Sequence, residues 1–352
     1  MTARVDDALP ALTPGAATIA VALGDAESAL LFERARSDPR PCRVTIAIPT
    51  FNRPELLRET LASAWAQQDF TDYEVIVVDN ASSPENVASV LAFLQSVEHP
   101  VRYYLNSENV GGFPNWNRCM HLARGEWISV LNDDDLLKPE FLSTMMKHVE
   151  QDPTLESLVC QAEPFDQRPQ AMRKSRTHTM VRPAFISATR FLGRDYIRMT
   201  ATRLFWSNIA GSSLGSLYKR DVVLGLGGFD PQEAPPADYI LNVRLALRSS
   251  FIQVRAPMAM VRLQVNDSMN LNTMGGVLIR NFRLRNRMLA ENLVPQRWKH
   301  WPRYLLAHEW AVARNHWKQA PAQADVARQS GVDLPQGDAK WVYIVRMLHG
   351  GM

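Results

Sequence analysis

Through the first half of the chain, short apolar runs ending in a polar or acidic residue alternate with stretches of helical period. Cys42 to Pro49 reads Cys-Arg-Val-Thr-Ile-Ala-Ile-Pro, a β-branched run suited to a buried strand, and the polar turn Thr50-Phe51-Asn52-Arg53 follows it. Pro54 suits the first position of a helix, where its missing N–H costs nothing. Asn52 or Arg53 lies at the cap, and Leu56, Leu57, Leu61, Ala64 and Trp65 recur at helical spacing. Tyr73 to Asn80 is a second apolar run, ending at Asp79. Residues 87–96 read as a helix and Val101 to Leu105 as a third strand. Asn109-Val110-Gly111-Gly112-Phe113-Pro114 is a turn opening a helix from Asn115 to Ala123. Trp127 to Leu131 is the fourth strand, and it ends in three carboxylates, Asp133, Asp134 and Asp135.

Strands and helices in this order predict the α/β class, a doubly wound, mostly parallel sheet with right-handed crossovers. Parallel pairing puts the carboxyl ends of the strands on one rim, so Thr50, Asp79 and the acidic triplet share the crevice where such sheets bind ligands. Downstream, the pattern predicts a helix from about Pro139 to Gln151 and a strand near Ser157 to Ala162, and it weakens across Glu163 to Arg203. Gly211 to Arg220 reads as a small-residue strand, and Gly227-Gly228-Phe229-Asp230 closes a short helix. In Pro235-Pro236-Ala237-Asp238 the carboxylate should cap or open a helix through Ile240, Leu241, Val243, Leu245, Ala246 and Leu247. Before the first strand, Ala26 to Arg36 has a helix-like stripe of Leu30, Leu31 and Ala35. The expected organisation is an N-terminal appendage over 1–41, a main domain over 42–274 with halves 42–135 and 136–274, and a C-terminal helical region over 275–352.

The 352 residues, 46% hydrophobic, are enough for a full core. A formal charge of +3 gives no general argument for nucleic acid, and no recognition motif for it occurs. Cys42, Cys119 and Cys160 lack metal-type spacing, which favours three separate thiols in a reducing, cytoplasmic setting. Asp6 and Asp7 near the start differ from a signal peptide, and no run of about 18 apolar residues predicts a membrane span.

The acidic triplet changes the picture most. Oxygen-only ligands suit Mg²⁺ or Mn²⁺, and a cation held by one or two carboxylates leaves its other positions to water and substrate phosphate. Taken alone, the triplet reads equally well as a solvated turn capping the next helix. What separates the two readings is the set of motifs around it.

Those motifs resemble family 2 glycosyltransferases of the A-type (GT-A) fold over about residues 43 to 270. They are Thr-Ile-Ala-Ile-Pro-Thr-Phe-Asn-Arg at 45 to 53, Glu-Val-Ile-Val-Val-Asp-Asn-Ala-Ser at 74 to 82 and Asn-Val-Gly-Gly at 109 to 112. Gly-Glu-Trp-Ile-Ser-Val-Leu-Asn-Asp-Asp-Asp at 125 to 135, Gly-Gly-Phe-Asp at 227 to 230 and Asp238 complete the set. The resemblance implies an inverting, metal-dependent transfer of one sugar from a UDP- or dTDP-sugar donor to an acceptor hydroxyl on a glycan or lipid-linked acceptor. It implies that Pro49, Thr50, Phe51, Asn52, Asn109 and Gly112 border the nucleotide and that Asp79 accepts a base N–H. Asp133 and Asp135 resemble the ends of the family's Asp-X-Asp motif, Asp135 as direct metal ligand and Asp133 as ligand or ribose partner. Asp134 is a substitute in the alternative register. Asp238 resembles the carboxylate base that deprotonates the acceptor, although a plain helix cap is its other reading.

Two features depart from the family. Many relatives carry a His after the base helix, whereas Val261 to Ser268 has none, so weaker metal binding is expected. The Gln-X-X-Arg-Trp motif of processive synthases is also missing, since Arg297-Trp298 directly follows Gln296. Beyond Gly275, Arg280, Arg283, Arg285, Arg287, Arg297, Lys299 and Arg303 interleave with Phe282, Trp298, Trp301, Trp310 and Trp317. Two readings stay open, a peripheral face on anionic membrane or helices packed on the main domain. Two other functions compete: a sugar-nucleotide pyrophosphorylase, which lacks its Gly-rich Arg loop here, and a binding protein without turnover, for which Asp238 would have no use.

Overall fold

The computed structural model describes residue 12, residues 21–38, 40–166, 195–263, 271–317 and 320–335, and residues 342, 345 and 346. In chain order the elements are β1 (Ser28–Arg34), β2 (Val44–Thr50), α1 (Pro54–Trp65), β3 (Tyr73–Asp79), α2 (Pro84–Ser96), β4 (Val101–Asn106) and α3 (Gly112–Leu122). Next come β5 (Trp127–Val130), β6 (Leu136–Leu137), α4 (Phe141–Gln151), β7 (Ser157–Asp166), β8 (Tyr196–Arg198), α5 (Ala201–Trp206), β9 (Ser216–Lys219) and α6 (Arg220–Gly225). Then follow α7 (Ala237–Arg248), β10 (Phe251–Leu263), α8 (Leu271–Ala290), α9 (Trp301–Val312) and α10 (Gln323–Ser330).

One mixed sheet runs in the order β1-β4-β3-β2-β5-β9-β7-β10-β6, with β8 also on β10. Its central strands β4, β3, β2 and β5 are parallel, as are β7 and β10, while β9 lies antiparallel between the two sets. Strand periodicity sorts the side chains into two layers. Ala47, Ile76, Val78, Ile128 and Val130 join one core cluster, and Ile46, Ile48, Val75 and Val77 join another. Both faces are therefore covered, which explains why the strands read as unbroken apolar runs.

The N-terminal segment departs from its sequence reading. Ser28–Arg34 is an edge strand antiparallel to β4, not a helix, with a register shift between Leu30 and Phe32. Leu30 and Leu31 stay 44% and 42% exposed, so the stripe that suggested a helix finds nothing to bury against. Pairing with the open edge of β4 decides the conformation instead. The expected strand over Gly211 to Arg220 shrinks to Ser216–Lys219, because Gly211 and Gly215 take left-handed backbone at φ 72° and 71°. The helix expected from Asn115 opens three residues earlier, at Gly112, behind Gly111 at φ 86°. Strand β10 had no clear sequence signal, and most of the weak stretch over Glu163 to Arg203 falls outside the described residues.

Part of the basic and aromatic set beyond Gly275 is turned inward. Arg285 is fully buried, donating to the Phe205 carbonyl and to both Glu309 oxygens. Trp298 packs on Phe205 and Trp206 at ring separations of 5.2 and 4.9 Å. These two side chains hold the C-terminal helices to the domain and are not available to a membrane. Among the described residues no helix is long and apolar enough to cross one.

Candidate active site

The rim at the carboxyl ends of β2, β3 and β5 brings several of the expected residues together. Thr50 and Asp79 are register partners at the ends of β2 and β3, and the Asn80 N–H donates to the Thr50 carbonyl at 2.9 Å. The Thr50 hydroxyl donates to Asp133 Oδ2 at 2.8 Å, which joins the end of β2 to the acidic turn after β5. Pro49, inside β2, is buried and sets the strand beneath this rim. Phe51 is 43% exposed, an aromatic face left at the crevice. Asn52 sits at φ 55°, where Asn is among the few side chains tolerated. Its Oδ1 accepts from the Ser83 N–H at 2.8 Å and Asn86 Nδ2 at 3.0 Å, and its N–H donates to the Ser82 hydroxyl.

The acidic triplet lies deeper than a solvated turn, with Asp133, Asp134 and Asp135 at 6%, 9% and 3% exposure. Arg53 lies between two of the carboxylates, 3.3 Å from both Asp133 Oδ1 and Asp134 Oδ2. Arg262 of β10 closes the other side. Its N–H donates to Asp135 Oδ1 at 2.9 Å, its Nε to the Asp134 carbonyl at 2.7 Å and its guanidinium to Glu59 at 2.6 Å. Asn132 Nδ2 donates to Asp135 Oδ2 at 2.9 Å. Burial pushes the Asp133 carboxyl up to about 6, against the hydrogen bond from Thr50 and the charge of Arg53. Burial likewise pushes Asp135 up to about 6, against the Arg262 N–H.

Two desolvated carboxylates at one strand end, offering only oxygen, fit a hard divalent cation, whose charge would restore their ionised forms. Asp133 and Asp135 are the residues that would hold it. Among the described residues no group of three His, Cys, Asp or Glu gathers as a closed site, so remaining positions would fall to water and phosphate.

Asp79 is almost fully buried, and both its oxygens are engaged. Oδ1 accepts from the Ser82 N–H at 2.7 Å and Oδ2 from the Tyr103 hydroxyl at 2.7 Å. A base N–H would need a remaining lone pair of the same carboxylate. Asn109 Oδ1 accepts from Asn80 Nδ2 and the Gly111 N–H, both at 2.9 Å. An amide ladder continues inward, with Asn106 Nδ2 donating to Asn80 Oδ1 and Asn115 Oδ1, and Asn115 Nδ2 to the Val78 carbonyl. Gly112 has open space where a Cβ would stand, so protein packing alone does not demand glycine there.

Asp238 occupies the second position of α7, behind Pro236 at the cap, rather than capping the helix itself. Its Oδ1 accepts from the adjacent Tyr239 N–H at 2.7 Å, and burial pushes its carboxyl up to about 6, against the backbone N–H groups of Tyr239 and Asp238 itself. It makes no hydrogen bond to the triplet, so the fold leaves it on a separate element. The two other acids near it are engaged otherwise: Asp230 Oδ1 accepts from the Gln232 N–H, and Glu233 is fully buried with arginines.

Sequence reasoning missed Arg262, Tyr103 and the Asn80–Asn106–Asn115 ladder. Arg262 stood in the very segment searched for a histidine, but its reach of more than a hundred residues to the triplet has no local signal. Tyr103 sat in a correctly placed strand, where its role depends on facing Asp79.

The profile of the family described as "Glycosyl transferase family 2" matches residues 45–224. A GalNAc(5)-diNAcBac-PP-undecaprenol beta-1,3-glucosyltransferase of Campylobacter jejuni is 39% identical over 30% of this chain and 34% of its own length. The abequosyltransferase RfbV of Salmonella typhimurium is 30% identical over 30% of this chain and 32% of its own. The matched stretches thus span about a third of these curated relatives. Among solved structures, Staphylococcus aureus TarS with UDP-GlcNAc superposes at a TM-score of 0.54 and 17% identity, covering 77% of this chain and 72% of that one. The mannosyltransferase PcManGT from Pyrobaculum calidifontis, with GDP-Man and Mn²⁺, gives 0.51 and 19%, covering 89% and 86%. At those identities the likeness is one of fold.

Proposed function

We propose, from the premise that this chain belongs to glycosyl transferase family 2, that it is an inverting, metal-dependent enzyme moving a single sugar from a UDP- or dTDP-sugar to an acceptor hydroxyl in lipid-linked glycan or polysaccharide biosynthesis. The observation that carries this reading is the bond between Thr50 and Asp133, which fastens the acidic turn after β5 to the end of β2. Relatives named for a lipid-linked acceptor and for abequosyl transfer support the acceptor class, and neighbours holding UDP-GlcNAc or GDP-Man with Mn²⁺ support a nucleotide-sugar donor.

The pyrimidine stands at Asp79, with the exposed Phe51 ring as an apolar face beside it. Thr50, Asn52 and the Asn109–Gly112 turn border the nucleotide, and the missing side chain at Gly112 leaves room for it. Asp135 and Asp133 would hold a divalent cation, which would supply Lewis acidity to stabilise the departing diphosphate. Arg53, next to both Asp133 and Asp134, adds a fixed positive charge at the same place.

Asp238 takes the proton of the acceptor hydroxyl as oxygen attacks the anomeric carbon from the face opposite the diphosphate. A half-buried carboxyl raised to about 6 is ionised at neutral pH and still basic enough to accept that proton. A binding protein without turnover has no need of such a group.

The test is a panel of UDP-, dTDP- and GDP-sugars with Mn²⁺, reading thermal stabilisation and nucleoside diphosphate release. Stabilisation and release by a uridine or thymidine donor are expected. Preference for GDP-sugars would overturn the role of Asp79, and stabilisation without release from any donor would favour the binding protein.

A further inference from the structure

The loop that delivers Asp238 has little backbone support. Between Gly228 and α7 it forms one 3-10 turn, Pro231–Glu233, and prolines at 231, 235 and 236 remove three N–H donors. Asn117 of α3 holds it at Phe229, and past that point its anchor is a second side chain. Glu233, fully buried, accepts through Oε1 from Arg244 of α7 and from Arg287 of α8, each at 3.1 Å. Arg244 is 1% exposed, so the pair is sealed from water.

Helix α8 touches the same loop again at its other end. A Cβ at Gly276 would stand 3.0 Å from Pro235 Cδ, so the helix backbone presses directly on the proline. Gly276 and Arg287 are eleven residues apart, about three turns, which places them on one face of α8 roughly 16 Å apart. This helix lies outside the stretch matched by the family profile.

We infer that α8 is a splint for the catalytic loop and that Glu233 and Arg287 are positioning residues for Asp238. Asn117 of α3 holds the start of the loop at Phe229, Glu233 fixes its middle to α7 and α8, and the Gly276–Pro235 contact fixes the end next to Asp238, so the approach to the Asp238 carboxylate is held by the C-terminal region. The inference rests on Asp238 being the base. Arg287 is the residue to change, because Glu233 keeps Arg244 when Arg287 is replaced, whereas removal of Glu233 strands a buried arginine.

Hydrolysis of the best-stabilising UDP-sugar, with water as acceptor, is measured for Arg287→Met, Arg287→Lys, Gly276→Leu and Asp238→Asn, with melting temperatures alongside. Arg287→Met and Gly276→Leu should each lower kcat about 10-fold or more while donor KM stays within about twofold, and Arg287→Lys should recover most of the loss. Unchanged kcat in Arg287→Met and Gly276→Leu, with Asp238→Asn inactive, overturns the splint and spares the base. A parallel loss of kcat, donor affinity and melting temperature also overturns it, since that is plain destabilisation. Normal turnover in Asp238→Asn removes the premise itself.

Discussion

Asp133, Asp135 and Asp238 show how burial raises the carboxyls of ordinary acids. Burial raises the Asp238 carboxyl to about 6, well above the usual value near 4, against the backbone N–H groups of Tyr239 and Asp238. A raised folded-state value means that ionisation opposes folding. The stabilising contribution is complete below about pH 4 and is lost as pH rises through about 6. Asp238→Asn should therefore match the native chain in acid and exceed it by about 1–3 kcal/mol at pH 8, read by thermal melts across pH. Turnover of the native chain should rise through the same interval, and Asp238→Asn should lose roughly 10²–10⁴-fold in kcat with donor affinity intact. Near-native turnover would make Asp238 a helix-opening residue only. At this scale the sequence was informative about which residues line the rim, because each ends an apolar run. It was silent on their partners: the Tyr103 hydroxyl on Asp79 and the Arg262 clamp on Asp135 arise from chain segments 24 and 127 residues away.

Among the elements, α3 ties the stretch before residue 136 to the stretch after it. Asn117 on this helix is fully buried and pairs with the Phe229 backbone both ways, accepting from its N–H and donating to its carbonyl, each at 2.8 Å. Gly228, at φ 64°, lies so close that a Cβ would stand 2.4 Å from Asn117 Oδ1. Gly228→Ala therefore incurs a left-handed backbone and a clash together, and should destabilise by about 1–3 kcal/mol in denaturant titrations. A neutral result would mean that the loop repacks freely and does not register the two halves. The motif Gly-Gly-Phe-Asp was legible as a helix ending, but its grip on α3 was not. The central parallel strands were equally legible, since both their faces are buried. Strand β1 was misread because edge pairing leaves its leucines outside, and β10 was overlooked because its bulges near Pro257 break the alternation.

Across the whole molecule, the C-terminal helices complete the core rather than hang from it. Leu284, Met288, Leu289, Trp298 and Leu305 belong to the same cluster as Val78 and Ile128 of the sheet. The inward turn of Arg285 and Trp298 withdraws two members of the basic and aromatic set from any membrane face, and composition alone had left that choice open. The sheet, its coverings and β10 converge on the rim, where Thr50, Arg53 and Arg262 hold three carboxylates out of water. As proposed above, this rim is a cation-assisted nucleotide site. It is tested most directly by the electron paramagnetic resonance signal of free Mn²⁺ during titration with UDP, for the native chain and for Asp135→Ala. UDP should promote Mn²⁺ uptake by the native chain at one equivalent, and Asp135→Ala should lose it, with a thermal melt alongside to check the fold because the change removes the acceptor of the buried Arg262 N–H. Equal uptake by both proteins, or UDP binding that ignores Mn²⁺, would contradict it.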